Sequence, residues 1–93
     1  MPLFVLTCID KPNSLEVRLG AREAHLEYVR RTNVTKLGGP FLDAQGAMAG
    51  SMLIIEVADL AAAKAFAAAD PYALAGLFES ADIRPYKVTI GEL

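Results

Sequence analysis

The chain reads as an α+β domain built on one four-stranded antiparallel sheet, and three observations carry that reading. Hydrophobic periodicity switches along the chain in the order β-α-β-β-α-β. The length, 93 residues, is that of a single domain, residues 1–93. The extended stretches are apolar on both faces. Phe4, Leu6 and Cys8 alternate with Leu3, Val5 and Ile9, and Leu53, Ile55 and Val57 alternate with Met52 and Ile54. Such strands are covered on two sides.

The elements follow in order. Residues 2–9, PLFVLTCI, are rich in β-branched and aromatic side chains and read as a strand. DKPNS is a turn in which Asn13 or Ser14 caps a helix running from Leu15 to about Thr32. NVTKLGGPFL returns to extended structure with a Gly-Gly-Pro break inside it, and DAQGAMAG reads as a hairpin connection. SMLIIEV is the plainest strand in the chain. Asp59 caps a second helix, LAAAKAFAAA, whose alanines are the best helix formers. Asp70-Pro71 ends it, because a residue before proline avoids the α region, and PYALAG adds one helical turn. After a turn over residues 79–82, IRPYKVTI is the last strand. This order is the ferredoxin-like split βαβ arrangement, with both helices on one face of the sheet. One sheet face then lies under the helices, and the other needs a cover, most simply the sheet of a second subunit.

Composition narrows the partners. The chain is 54% apolar, high for a small soluble monomer, which points to a homodimer. The longest uncharged run near the middle, residues 44–55, is shorter than the roughly 20 residues that cross a bilayer. The start carries no signal-peptide pattern. Net charge is −2 with scattered basic residues, so neither nucleic acid nor membrane is an expected partner. Cys8 has no second cysteine to pair with and reads as a small buried hydrophobe. One cysteine and one histidine make no usual zinc site. A cytoplasmic protein without metal or cofactor is expected.

The first helix holds the strongest departure from pattern. At about 100° per residue, Glu16, Gly20, Glu23, Glu27, Arg30 and Arg31 share a solvated arc. Val17, Ala21, Ala24 and Tyr28 form one apolar flank, and Leu15, Leu19 and Leu26 the other; both should pack on the sheet. Between the flanks, opposite solvent, lie Arg18, Arg22, His25 and Val29. Buried arginines need a carboxylate, a carbonyl cluster or a bound anion. A place where a sequence breaks its own pattern is a candidate functional site. The competing reading is structural: a hydrogen-bonded core histidine, with Arg18 reaching outward and Arg22 paired across a dimer.

Asp70 suits two compatible roles. It caps the short helix that Pro71 opens, and it can meet His25, since both helices share one face of the sheet. A His–Asp pair fixes the imidazole tautomer and makes a general base or acid near neutral pH. Gly38-Gly39-Pro40 is not a phosphate loop. It reads as a bulge, or as backbone close to a ligand. Ser51, at the start of the plainest strand, offers a hydroxyl to the same place. Tyr72 and Tyr86 read as half-buried packing with a wet hydroxyl.

These blocks, R(x)3R(x)2HLEYV, GGPF, GSMLIIEV, DPYALAGLF and IRPYKV, resemble the YciI-like (YCII-related) family in order and spacing over nearly the whole chain. The resemblance implies a ferredoxin-like subunit of the dimeric α+β barrel kind, as in muconolactone isomerases and small antibiotic-biosynthesis monooxygenases. It also implies a pocket with a histidine–aspartate pair, here His25 and Asp70, with Arg22, Gly39, Pro40 and Ser51 as neighbours. The expected function is acid–base chemistry on a small, aromatic or anionic molecule: a lyase, an isomerase or a dehalogenating elimination. His25 would move the proton, Asp70 orient it, and Arg22 and Arg18 hold a carboxylate or enolate. The alternative is a non-catalytic ligand-binding or protein-interaction module.

Overall fold

Strand pairing organises the computed structural model, which describes residues 1–93. The elements are β1 (Leu3–Asp10), α1 (Leu15–Thr32), β2 (Thr35–Leu42), β3 (Met48–Glu56), α2 (Leu60–Ala68), the single turn α3 (Pro71–Leu74) and β4 (Phe78–Tyr86). The sheet order is β2-β3-β1-β4, and every neighbouring pair is antiparallel. The ferredoxin-like expectation holds.

Register assigns the faces, because residues opposite one another in an antiparallel pair share a face. Phe4 opposes Ile55 and Leu6 opposes Leu53. These four join Val57, Tyr28 of α1, and Ala63 and Phe66 of α2 in one core beneath the helices. Tyr28 ties the two helices together: its hydroxyl donates to the Phe66 carbonyl at 2.8 Å, and its ring stacks on Phe66. The alternate residues face away. Val5 opposes Ile54, which opposes Leu37; Ile9 opposes Gly50, which opposes Phe41. No helix covers this second face, and Ile9, Leu37, Phe41 and Tyr86 stand exposed on it. No helix of the chain is long and apolar enough to cross a membrane.

Four expectations are corrected. The last strand is Phe78–Tyr86, not residues 83–90, and residues 79–82 belong to it rather than to a turn. Pairing with β1 from Asp10–Phe78 to Leu3–Tyr86 overrides the polar local sequence, as an edge strand facing water allows. The Gly-Gly-Pro segment does not interrupt β2. Register shifts fall on either side of it, between Thr35 and Leu37 and between Phe41 and Leu42. Gly38 is required there for space, since a Cβ would run into the Leu53 side chain. The connection between β2 and β3 is shorter than DAQGAMAG, because Met48 to Gly50 already belong to β3. Asp43 Oδ1 organises its turn by accepting from the amides of Gln45 and Ala47, and Gly46 supplies the positive φ.

The fourth correction concerns α1. Ser14 stands at the cap position without a side-chain capping bond, its hydroxyl donating back to the Pro12 carbonyl. The buried residues of the helix are Arg18, His25 and Tyr28, while Leu15, Leu19, Leu26 and Val17 are exposed. The expected apolar flanks therefore do not both pack on the sheet. The helix is rolled toward its Tyr28 side, and Arg22 moves from the expected centre of the buried face to the rim of a cleft.

Candidate functional site

Two carboxylates reach α1 from opposite ends of the site. β1 ends in Asp10, whose side chain falls on the helix side of the sheet with Phe4, Leu6 and Cys8. Its carboxylate accepts from Arg18 Nε at 2.8 Å and Nη2 at 2.9 Å, and Arg18 Nη2 also donates to Ser51 Oγ at 2.8 Å. Arg18 is 2% exposed and Asp10 8%. An arginine fork held in two places by one carboxylate is strong and geometrically specific. Asp10 is the partner that the buried Arg18 demanded. Read as part of a turn, it was missed, although the alternation of β1 continued by one residue would have placed it inward.

Seven residues along α1 from Arg18, two turns on, His25 meets Asp70. Its Nδ1 lies 2.8 Å from Oδ1 and 3.0 Å from Oδ2, with both residues buried. Oδ1 also accepts from the Tyr72 amide at 2.9 Å, which caps α3. The two expected roles of Asp70 thus coexist. An ionised carboxylate only accepts, so Nδ1 carries the proton and donates it to Asp70. The other ring nitrogen, Nε2, has no partner in the chain. Tyr72 is not the half-exposed residue expected: it is 2% exposed. Its ring stacks on the His25 imidazole, with centroids 4.0 Å apart and 17° between planes. The Arg18 guanidinium lies 4.6 Å from its centroid. Tyr86, in contrast, is exposed on β4.

A cleft of about 270 Å³ opens beside this pair, between α1 and strands β2 and β3. Arg18, Arg22, His25, Gly39, Pro40 and Ser51 all contribute to its wall, so the structure brings the sequence-derived residues together, Asp70 standing behind His25. Their parts differ. Arg22 forms no ion pair within the chain, while Nε and Nη2 of Arg18 are already engaged. Gly39 has open space around the position of a Cβ; the close approach belongs to Gly38. Lys36 and Thr35 line the wall as well, where a register shift sets an extra residue into β2. No carboxylate lines the cleft; of its cationic side chains Arg18 pairs with Asp10 and Lys36 with Glu56 behind the wall, which leaves Arg22 as the uncompensated positive charge there.

Cys8 lies between the two carboxylate sites. Burial pushes its thiol pKa up to about 11, and the negative charges of Asp70 and Asp10 push in the same direction. It is a neutral, inert thiol, as its strand position implied. Burial raises the phenol of Tyr28 too, helped by Asp70.

A four-stranded antiparallel sheet of this order with its helices on one face is the fold of the dimeric α+β barrel proteins. Within that class the chain belongs to the YCII-related domain family, which matches residues 2–87. It is 36% identical to Protein YciI of Escherichia coli O6:H1, over 91% of this chain and 96% of that one. It is 33% identical to an uncharacterised Haemophilus influenzae protein, over 90% and 95%. Among solved structures, it superposes with a TM-score of 0.85 on the 5-chloro-2-hydroxyhydroquinone dehydrochlorinase TftG of Burkholderia phenoliruptrix AC1100 in complex with 2,5-dihydroxybenzoquinone. That match is 34% identical over 91% of this chain and 93% of the other. An antibiotic biosynthesis monooxygenase, at 14% identity and a TM-score of 0.60 over 97% and 100%, shares the fold.

Proposed function

We propose that the cleft performs proton-transfer chemistry on a small hydroxylated ring that reacts as an anion, by dehalogenating elimination or isomerisation. The observation that carries the reading is the His25–Asp70 pair. With Nδ1–H donated to a buried carboxylate, the imidazole is held in the tautomer whose Nε2 lone pair is free to take a proton. Asp70 orients the ring and stabilises the imidazolium formed. Arg22, at the rim and unpaired, holds an oxygen of the ligand as it becomes anionic; the remaining donors of Arg18 and the Ser51 hydroxyl complete the polar wall. Gly39 and Pro40 form the floor on the β2 side.

The size and charge of the cleft support this substrate class. At about 270 Å³ it falls just below the range of drug-sized pockets, which fits a single ring. The likeness to a dehydrochlorinase whose complex holds a dihydroxybenzoquinone points the same way. In the elimination, His25 Nε2 takes a ring hydroxyl proton, the oxygen's electrons pass into the ring and the halogen-bearing carbon takes up a proton; loss of a second hydroxyl proton then expels the halide from that carbon and leaves the quinone, so that HX is lost overall. Nothing is oxidised by an outside agent, so the reading asks for no cofactor. We assign the protein to the cytoplasm, where Cys8 stays a free thiol.

The reading also assigns a second copy of the chain to the exposed apolar sheet face. Sedimentation at micromolar concentration should then show a species near twice the 9.9 kDa chain mass; a monomer would contradict it. The activity test is chloride release from 5-chloro-2-hydroxyhydroquinone. We expect release above the buffer rate, reduced by about 100-fold or more in His25→Gln. Equal rates in the two proteins would remove His25 from the chemistry.

A further inference from the structure

Tyr72 touches three polar groups of the site. It stacks on His25, lies beside the Arg18 guanidinium, and donates its amide to Asp70. Phe78 closes on it edge-on, with centroids 6.1 Å apart. A phenylalanine would satisfy all four contacts. Beyond them, the Arg18 guanidinium donates toward the hydroxyl oxygen, and the phenolic proton is the part left over.

No atom of the chain accepts a hydrogen bond from that hydroxyl, yet it is not sealed in the core. The side-chain polar atom that is both buried and without a partner is Thr35 Oγ1. Tyr72 lines the cleft, so its hydroxyl opens there. The charged groups that act on it are the guanidiniums of Arg18 and Arg22 and the Asp70 carboxylate; guanidiniums only donate, and Asp70 is taken up by the His25 ring and the Tyr72 amide, so the phenolic proton is left for another acceptor. Burial pushes the phenol pKa up and outweighs the opposing pull of Arg18 and Arg22, so the group remains a protonated donor at neutral pH. The same two cations stabilise negative charge arriving at that hydrogen bond.

We propose that Tyr72 is a second ligand-contacting group, whose hydroxyl donates a hydrogen bond to the ligand oxygen that gains charge as His25 Nε2 takes up a proton. This rests on the reading of the cleft as a proton-transfer site. It extends that reading by naming what the cleft selects: ligands with an enolic or phenolic oxygen beside the reacting position. The phenolic proton stays on Tyr72, and no bond to it forms or breaks. Donor and base are set against one another by ring stacking, which keeps both polar edges on one ligand.

The test is a titration of the intact protein with 2,5-dihydroxybenzoquinone, comparing wild type, Tyr72→Phe and His25→Gln, with the His25 imidazole followed by NMR. Tyr72→Phe keeps the stack and the cap. It should bind the probe about 10- to 100-fold more weakly, the range of a hydrogen bond to a charged group, while the His25 resonances of the free protein stay in place. Affinity within about twofold of wild type, with a loss in His25→Gln, would overturn the assignment of Tyr72 alone. Displaced His25 resonances in Tyr72→Phe would also overturn it, since Tyr72 would then act by positioning the imidazole. Failure of the wild type to bind the probe would overturn the functional reading and this inference together.

Discussion

Two buried carboxylates hold α1, and they do opposite things. At the Asp10 end, both carboxylate oxygens meet both sides of the Arg18 fork and Ser51 takes a further donor. The Nε–Nη2 edge of the cation is held there within the chain and serves as scaffold, while Nη1 keeps its donors. At the Asp70 end, the carboxylate holds a single edge of His25 and caps α3 with the same oxygen. The other edge of the imidazole is left to the cleft. One buried carboxylate thus grips an edge of its partner by two hydrogen bonds, whereas the other holds one nitrogen of its partner and leaves the second without a bond in the chain. Tyr72 bridges the two ends, with the Arg18 guanidinium and the His25 ring both against it.

Removing each carboxylate in turn is the sharpest way to break this contrast. Asp10→Ala leaves Arg18 charged and buried without a counterion, which costs about 3–5 kcal/mol. In a domain whose total stability is about 5–15 kcal/mol, thermal denaturation should show a large fall in Tm; an unchanged Tm would mean that the pair does not hold the fold. Asp70→Asn should behave in the reverse way. An asparagine oxygen still caps α3, so stability should fall by only about 1 kcal/mol. Turnover should drop by about 100-fold or more, because the side chain no longer fixes the imidazole tautomer. Comparable losses of stability in the two variants would erase the distinction.

Cys8 reports on both ends, since Asp70 and Asp10 each add to the burial that raises its pKa to about 11 from 9.0. A thiol whose pKa is raised in the folded state holds its proton more tightly there than in the unfolded chain. Its contribution to stability is therefore complete below about pH 9 and is lost as pH rises through about 11, by roughly 2–3 kcal/mol. Alkaline melting curves should fall over this window, and the fall should be shallower in Cys8→Ala. Equal slopes would remove Cys8 as the titrating group. The smallest expected effect is that of Ser51→Ala, which takes one acceptor from Arg18 and leaves the Asp10 fork intact. A loss of about 0.5–1.5 kcal/mol in denaturant unfolding is expected; a loss as large as that of Asp10→Ala would show that the serine and the carboxylate share the work.

The parts of this arrangement that were legible in the sequence are those that local pattern dictates. Strand and helix order followed from periodicity. The caps at Asp59 and Asp70 followed from residue type, and His25 with Asp70 from a polar break inside an amphipathic helix. What pairing decides was not legible. Glu79 to Asp82 looks like a turn by composition and becomes strand because β1 offers its edge. The roll of α1, which exposes Leu19 and brings Arg22 to the cleft rim, depends on where Tyr28 finds Phe66 across the core. Asp10 was hidden because it follows an apolar strand and precedes a turn, and its inward direction is settled only by one more residue of ladder. Tyr72 looked like ordinary packing because a stack between two elements leaves no trace in the spacing of either.

The central claim is that Asp70 holds His25 as the Nδ1–H tautomer and leaves Nε2 free for a proton. His25 is the only histidine, so a long-range ¹H–¹⁵N NMR spectrum of the imidazole reads this directly. In its neutral form the wild-type ring should show a protonated Nδ1 and an unprotonated Nε2, and Asp70→Asn should disturb that pattern. A ring protonated on Nε2 in the wild type, or one indifferent to Asp70→Asn, would contradict the account.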